Sequence, residues 1–145
     1  MGLRPQPIAK FNLGSTNILV LEGSHSEMDL YIQILSGFGA KNIHRCMNRK
    51  EAEEALLKHE IDLIVVDAKL PEGDDGYDFV QALRRKRNAP KLSVIPVLMI
   101  AGHTPPSKVA MARDCGAHFV VRKPVRPDLL LERILWIAQE SRPFV

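Results

Sequence analysis

Five short β-prone stretches alternate along the chain with five stretches in which apolar residues return every three or four positions. The strongest is Ile61-Asp62-Leu63-Ile64-Val65-Val66-Asp67, where an apolar run leads straight into a carboxylate, and Pro71, Gly73 and Gly76 follow. A run of this kind reads as a strand buried on both faces, the usual state of a central strand in a parallel sheet. Further strands are expected over Asn17 to Leu21, Asn42 to Met47, within Ser93 to Ile100, and over Phe119 to Val121. The periodic stretches predict helices. Ser26 caps one from Glu27 to about Phe38, with Leu30, Tyr31, Ile34, Leu35 and Phe38 on the helical period. Asn48 and Glu51 form a capping box for a second, with Ala52, Ala55, Leu56 and His59 on one stripe. A third runs from about Tyr77 to Arg87, with Phe79, Val80 and Leu83 inward. Thr104 caps a fourth, opened by Pro105 and Pro106 and closed by Gly116, and the last spans about Pro127 to Gln139.

Strands alternating with helices imply a parallel sheet with right-handed crossovers and helices on both faces. At this length the expected fold is α/β: a flavodoxin-like, doubly wound (βα)5 three-layer sandwich whose five parallel strands are ordered 2-1-3-4-5. Residues 1–15 read as a leader, with Phe11 and Leu13 available to pack against the domain edge. Residues 16–140 form the domain and 141–145 a tail.

Composition changes this picture little. The net charge of +3 neither requires nor excludes an acidic partner. No apolar run reaches membrane-spanning length, and no secretory h-region opens the chain, so a cytoplasmic protein is expected. Cys46 and Cys115 are expected as buried thiols rather than a disulfide or metal framework.

Chemistry gathers at strand ends. Glu22 ends the first strand, Asp67 the third, and Lys123, directly before Pro124, the fifth. In open α/β sheets the site lies outside the carboxyl ends of the strands. Two carboxylates and an ammonium at one rim suit phosphoryl capture. One carboxylate attacks phosphorus, the cation neutralises phosphoryl oxygens, and the second carboxylate helps hold Mg²⁺.

These stretches resemble the bacterial response-regulator receiver domain of two-component signalling over roughly residues 16 to 140. The matching segments are Asn17 to Glu22, Asp62 to Asp67 with Pro71 and Gly76, Ile95-Pro96-Val97-Leu98-Met99, and Gly116-Ala117 followed by Lys123-Pro124. The resemblance implies that Asp67 is the phosphoacceptor, that Lys123 contacts the acyl phosphate, and that the Lys123-Pro124 bond is cis. It also implies a signalling protein rather than an enzyme, with a histidine kinase, a phosphotransfer protein or a downstream protein as partner.

Several positions depart from the family pattern. The family ends its first strand with two acids, the second a direct Mg²⁺ ligand, whereas this chain has Glu22-Gly23. The family's hydroxyl residue at the end of strand four is Ala101, and its switch aromatic in strand five is Val120 by spacing. The loop after Asp67 is one residue longer than the commonest form, and Lys69 lies two residues beyond Asp67, with its ammonium in reach of the pocket. Glu22 and Asp67 against Lys123 and Lys69 leave a net charge of −1 or zero, where the family's pocket carries −2. The metal site, Glu22 with Asp67, is therefore expected to be weak or absent, no other cofactor is expected, and Gly23→Asp is expected to restore Mg²⁺ affinity.

Two surfaces stand out. Leu129 and Trp136 share a stripe of the last helix beside Arg133, away from Leu130, Ile134 and Ile137. A Trp with a charged rim is an interface anchor. In the resembled family the face of helix four, strand five and helix five mediates dimerisation and partner contact. Arg84-Arg85-Lys86-Arg87 with Lys91 is a basic cluster, either a solvated helix end or a site for an anionic ligand such as a nucleotide. No DNA-binding motif accompanies it. Three readings follow: an atypical receiver acting by protein contact with impaired phosphorylation, a working phosphoacceptor, and an anionic-ligand sensor on the same scaffold.

Overall fold

In the computed structural model, which describes residues 13–86, 88–102, 110 and 114–140, five parallel strands form one sheet. They are β1 (Asn17–Leu21), β2 (Asn42–Cys46), β3 (Leu63–Asp67), β4 (Val97–Ala101) and β5 (Phe119–Arg122), in the spatial order β2-β1-β3-β4-β5. Every neighbouring pair is parallel. Helices α1 (His25–Gly37), α2 (Arg49–Lys58) and α3 (Gly76–Arg84) and a C-terminal helix (Pro127–Glu140) cover its faces. The strand pattern divides the core by parity. Leu19, Leu21, Ile64, Val66, Val97 and Met99 pack with α2 and α3 residues such as Leu56, Phe79, Val80 and Leu83. Ile18, Val20, Leu63, Val65, Leu98, Ile100 and Val121 pack with Met28, Tyr31 and Leu35 of α1 and with Leu130, Ile134 and Ile137 of the C-terminal helix. Leu13 is buried in that second core, so ordered packing begins inside the expected leader.

Among the described residues the expected elements are present, with displaced ends; most of the helix expected between Thr104 and Gly116 lies outside them. Ser24, not Ser26, caps α1: its hydroxyl accepts the Glu27 N–H, while Ser26 only touches Ser24. With that start, Met28 faces the core and Leu30 is left 43% exposed. Asn48 accepts the Glu51 N–H at 2.9 Å, and Glu51 reaches back to the Met47 N–H at 2.8 Å, which closes the expected capping arrangement. Asp62 precedes β3; its N–H donates to the Asn17 carbonyl and its side chain accepts the Asn17 N–H, each at 2.8 Å. Pro90–Ser93 makes a helical turn not expected from the sequence, and β4 begins at Val97, within the expected Ser93 to Ile100. Asp75 caps α3 through the Tyr77 and Asp78 amides. The cap expected at Thr104 and the packing expected of Phe11 lie outside the described residues.

Candidate functional site

Parity also builds the site. Glu22 continues the alternation of Ile18 and Val20, Asp67 that of Leu63 and Val65, and Lys123 that of Phe119 and Val121. All three therefore emerge on the side of the sheet that α1 covers. Gly76 lets α3 start close behind β3, since a Cβ there would lie 3.0 Å from Ala68 Cα and against the Asp67 carbonyl. The Gly76 N–H donates to the Ala68 carbonyl at 2.8 Å. The loop between carries Glu72 in the left-handed region (φ 60°), which non-glycine residues seldom adopt. The Lys123-Pro124 peptide is cis.

Asp67 is 2% exposed. Its Oδ1 accepts the Lys69 N–H at 2.8 Å, and its Oδ2 lies 2.6 Å from Lys123 Nζ, an ion pair held by distance rather than by hydrogen-bond alignment. The Lys123 ammonium also meets Glu27 Oε1 at 2.5 Å, and the Tyr31 hydroxyl donates to that oxygen at 3.2 Å. Burial pulls the Lys123 pKa down, but bonds to Asp67 and Glu27 outweigh it, and the net shift is upward. Glu22 is buried beside them. Its Oε2 accepts the Ser24 N–H at 3.0 Å, and its Oε1 has no hydrogen-bond partner among the described residues. Burial first, then the adjacent Asp67 carboxylate, push the Glu22 carboxyl up to about 8.

Glu27 is the residue that sequence reasoning missed. Carboxylate oxygens of Glu22, Glu27 and Asp67 all lie within 4.8 Å of one another. The pocket thus holds three acids and one ammonium, a formal −2, not the −1 or zero counted from Glu22, Asp67, Lys123 and Lys69. Lys69 corrects the count further: its side chain is exposed, its backbone amide alone meets Asp67, and its ammonium makes no ion pair among the described residues. The signal was legible in principle. Glu27 and Tyr31 are one turn apart, on the stripe that buries Met28, Tyr31, Ile34 and Leu35.

Gly23 is the second correction. A Cβ built there would meet the Pro71 ring, with Cδ at 2.6 Å, so the space for the family's second acid is filled. For Gly23→Asp to restore a ligand, the Pro71 ring has to shift first. Ala101 is buried at the end of β4 and offers only a methyl group. The donor set still fits Mg²⁺, a hard cation that takes carboxylate oxygens, because a buried and unpartnered Glu22 oxygen faces the group. When bound there, Mg²⁺ would supply charge neutralisation to a phosphoryl group on Asp67. Glu22, Glu27 and Asp67 are the residues that would hold it.

The other expected surfaces divide. On the C-terminal helix Leu130, Ile134 and Ile137 are buried, while Trp136 is 45% exposed and Leu129 partly so. Arg133 stacks its guanidinium 5.3 Å from the centre of the Phe119 ring, joining that helix to β5. The basic cluster loses its first member. Arg84 turns inward and donates to the carbonyls of Gly116, Ser93 and Ile95 at 2.7–3.1 Å. Four of the guanidinium's five N–H donors go to carbonyls and Nη2 also lies 3.5 Å from His118 Nδ1, which leaves no free donor edge for an anion. Arg85, Lys86 and Lys91 remain exposed. Cys46 and Cys115 are buried and unbridged.

Residues 18–135 match the family model for the response regulator receiver domain. Among curated proteins the chain is 28% identical over 131 residues to a probable cyclic di-GMP phosphodiesterase of Vibrio cholerae, covering 90% of this chain and 28% of that protein. It is 28% identical over 120 residues to the regulatory protein VanR of Enterococcus faecium, covering 83% of this chain and 48% of VanR. The chain thus spans half or less of these relatives' lengths. Among solved structures, the chemotaxis response regulator CheY4 of Vibrio cholerae superposes with a TM-score of 0.74 at 24% identity, over 84% of this chain and 98% of that one. The receiver domain of a signal transduction histidine kinase from Syntrophus aciditrophicus does so at 0.76 and 26% identity, over 88% and 93%.

Proposed function

The chain belongs to the response-regulator receiver family of two-component signalling, and on that premise we propose that it is an atypical receiver. Its Mg²⁺-dependent phosphorylation at Asp67 is impaired, and it signals by protein–protein contact. The observation that carries this reading is the placement of the Lys123 ammonium between Asp67 and Glu27. The cation that would meet the phosphoryl oxygens is shared with a second carboxylate, Glu27. Ala101 adds no hydroxyl for a transferred group. The output surface is the face of β5 and the C-terminal helix around Trp136, Leu129 and Arg133. Its partner is a second copy of the chain or a downstream protein, and a histidine kinase or phosphotransfer protein stands upstream.

A second reading, a working phosphoacceptor, is supported by the intact pairing of Asp67 with Lys123. Incubation with a small acyl phosphate donor and Mg²⁺, followed by intact mass, separates the two. The atypical reading expects little adduct over hours; rapid stoichiometric addition of a phosphoryl group at Asp67 would sink it. Among the described residues no helix is long and apolar enough to cross a membrane.

A further inference from the structure

We propose that Glu27, from the first turn of α1, replaces the carboxylate missing at Gly23, so that a divalent cation and the Lys123 ammonium compete for Glu22, Glu27 and Asp67. The inference rests on the reading of the Asp67 pocket as a receiver pocket, but not on the impairment of phosphorylation.

Three observations carry it. Ligand oxygens of the three acids lie within 4.8 Å of one another, near enough to share one ion. Glu22, at 3% exposure, keeps Oε1 without a hydrogen-bond partner among the described residues. A buried carboxylate oxygen costs free energy unless something positive meets it, and no protein donor among the described residues does so. Glu27 is the one of the three acids that is only partly buried, so an entering cation meets it from the solvent side.

Lys123 makes the site conditional. Its ammonium contacts two of the three acids, at 2.5 Å and 2.6 Å. With no metal present it supplies the positive charge that the cluster needs. A divalent cation brings twice the charge and can bind Glu22 as well, but it must displace the ammonium from Glu27. The lysine stem is long and 29% exposed, so it can swing away without disturbing the strand.

The test is Mn²⁺ binding to the full chain, read by electron paramagnetic resonance of the free ion and repeated with Mg²⁺ as competitor. The wild-type chain is expected to bind one Mn²⁺ that Mg²⁺ displaces. Glu27→Gln, which leaves the Ser24 cap to the Glu27 backbone amide intact, is expected to weaken binding about tenfold or more. Lys123→Met is expected to tighten it several-fold. Wild-type affinity in Glu27→Gln, or no Mn²⁺ bound by wild type at millimolar concentration, overturns the site. Unchanged affinity in Lys123→Met overturns the competition. Rapid phosphorylation of Asp67 in the mass assay would defeat the impaired reading and leave this site standing, whereas an inert Glu27→Gln defeats the site and leaves that reading standing.

Discussion

The Pro71 ring stands over Gly23, where any side chain would collide with it. A side chain at position 23 therefore requires the Pro71 ring to move.

From this we expect Gly23→Asp to destabilise the domain, by about 1–3 kcal/mol as for other overpacked sites, without gaining a metal ligand. Gly23→Asp with Pro71→Ala should recover most of that loss. Urea titration of both variants checks the pair. A stable Gly23→Asp single variant with tighter Mn²⁺ binding would show that Pro71 yields.

Glu22 makes stability pH-dependent in an uncommon direction. Its carboxyl titrates at about 8 in the folded chain against 4.5 for an ordinary Glu. Between those values the folded state holds a proton that the unfolded state has released, so the contribution is complete below the lower value and is lost as pH rises through the upper one. In a metal chelator, wild type should lose stability relative to Glu22→Gln between about pH 5 and about pH 8, at a slope approaching about 1.4 kcal/mol per pH unit. Thermal melts of both chains across that range test the sign. A wild type that gains on the variant as pH rises would contradict it.

Arg84 should behave as a structural residue and not as a ligand contact. It ties the end of α3 to Ser93 and Ile95 before β4 and to Gly116 before β5. Arg84→Ala strips these carbonyls of their donor, an expected loss of roughly 2–4 kcal/mol. Arg84→Lys should recover only part, because an ammonium cannot reproduce the planar fork. Denaturant unfolding gives both values. Near-wild-type stability in Arg84→Ala would return the arginine to the anion-binding reading.

A phosphoryl mimic should move little beyond the pocket. Ala101 has no hydroxyl to be drawn toward Asp67, and Val120 packs toward α2 and α3 without an aromatic ring to swing. With beryllofluoride added, amide shifts should concentrate near Asp67 to Leu70 and fade at Ala101 and Gly102. Large shifts at those two residues would mean that the backbone transmits the change without the usual side chains.

Trp136 and Leu129 should carry the output. Burying both supplies roughly 3–5 kcal/mol at about 25 cal/mol per Å² before association costs. Trp136→Ala is expected to disrupt self-association or partner binding with the fold intact, since the ring is 45% exposed. Asp67→Ala is expected to do neither. Analytical ultracentrifugation and circular dichroism on both variants separate the outcomes, and unfolding of Trp136→Ala would make the residue core.

By itself the sequence determined the alternation of strands and helices, the parallel sheet and its order, the inward stripe of the C-terminal helix, and the convergence of Glu22, Asp67 and Lys123. All of these follow from periodicity, which local chemistry imposes on every strand and helix. Only the tertiary structure decided which charges share the pocket. Glu27 enters it because it lies one turn before Tyr31, on the face that α1 turns toward Asp67 and Lys123. Lys69 stays out because the turn after β3 aims its amide at Asp67 and its side chain at solvent. Arg84 left the basic cluster because three carbonyls from distant segments meet at its guanidinium. Pro71 reached Gly23 across 48 positions of chain. Such contacts join residues whose spacing carries no period, so they exist only once the sheet has brought its loops to one rim.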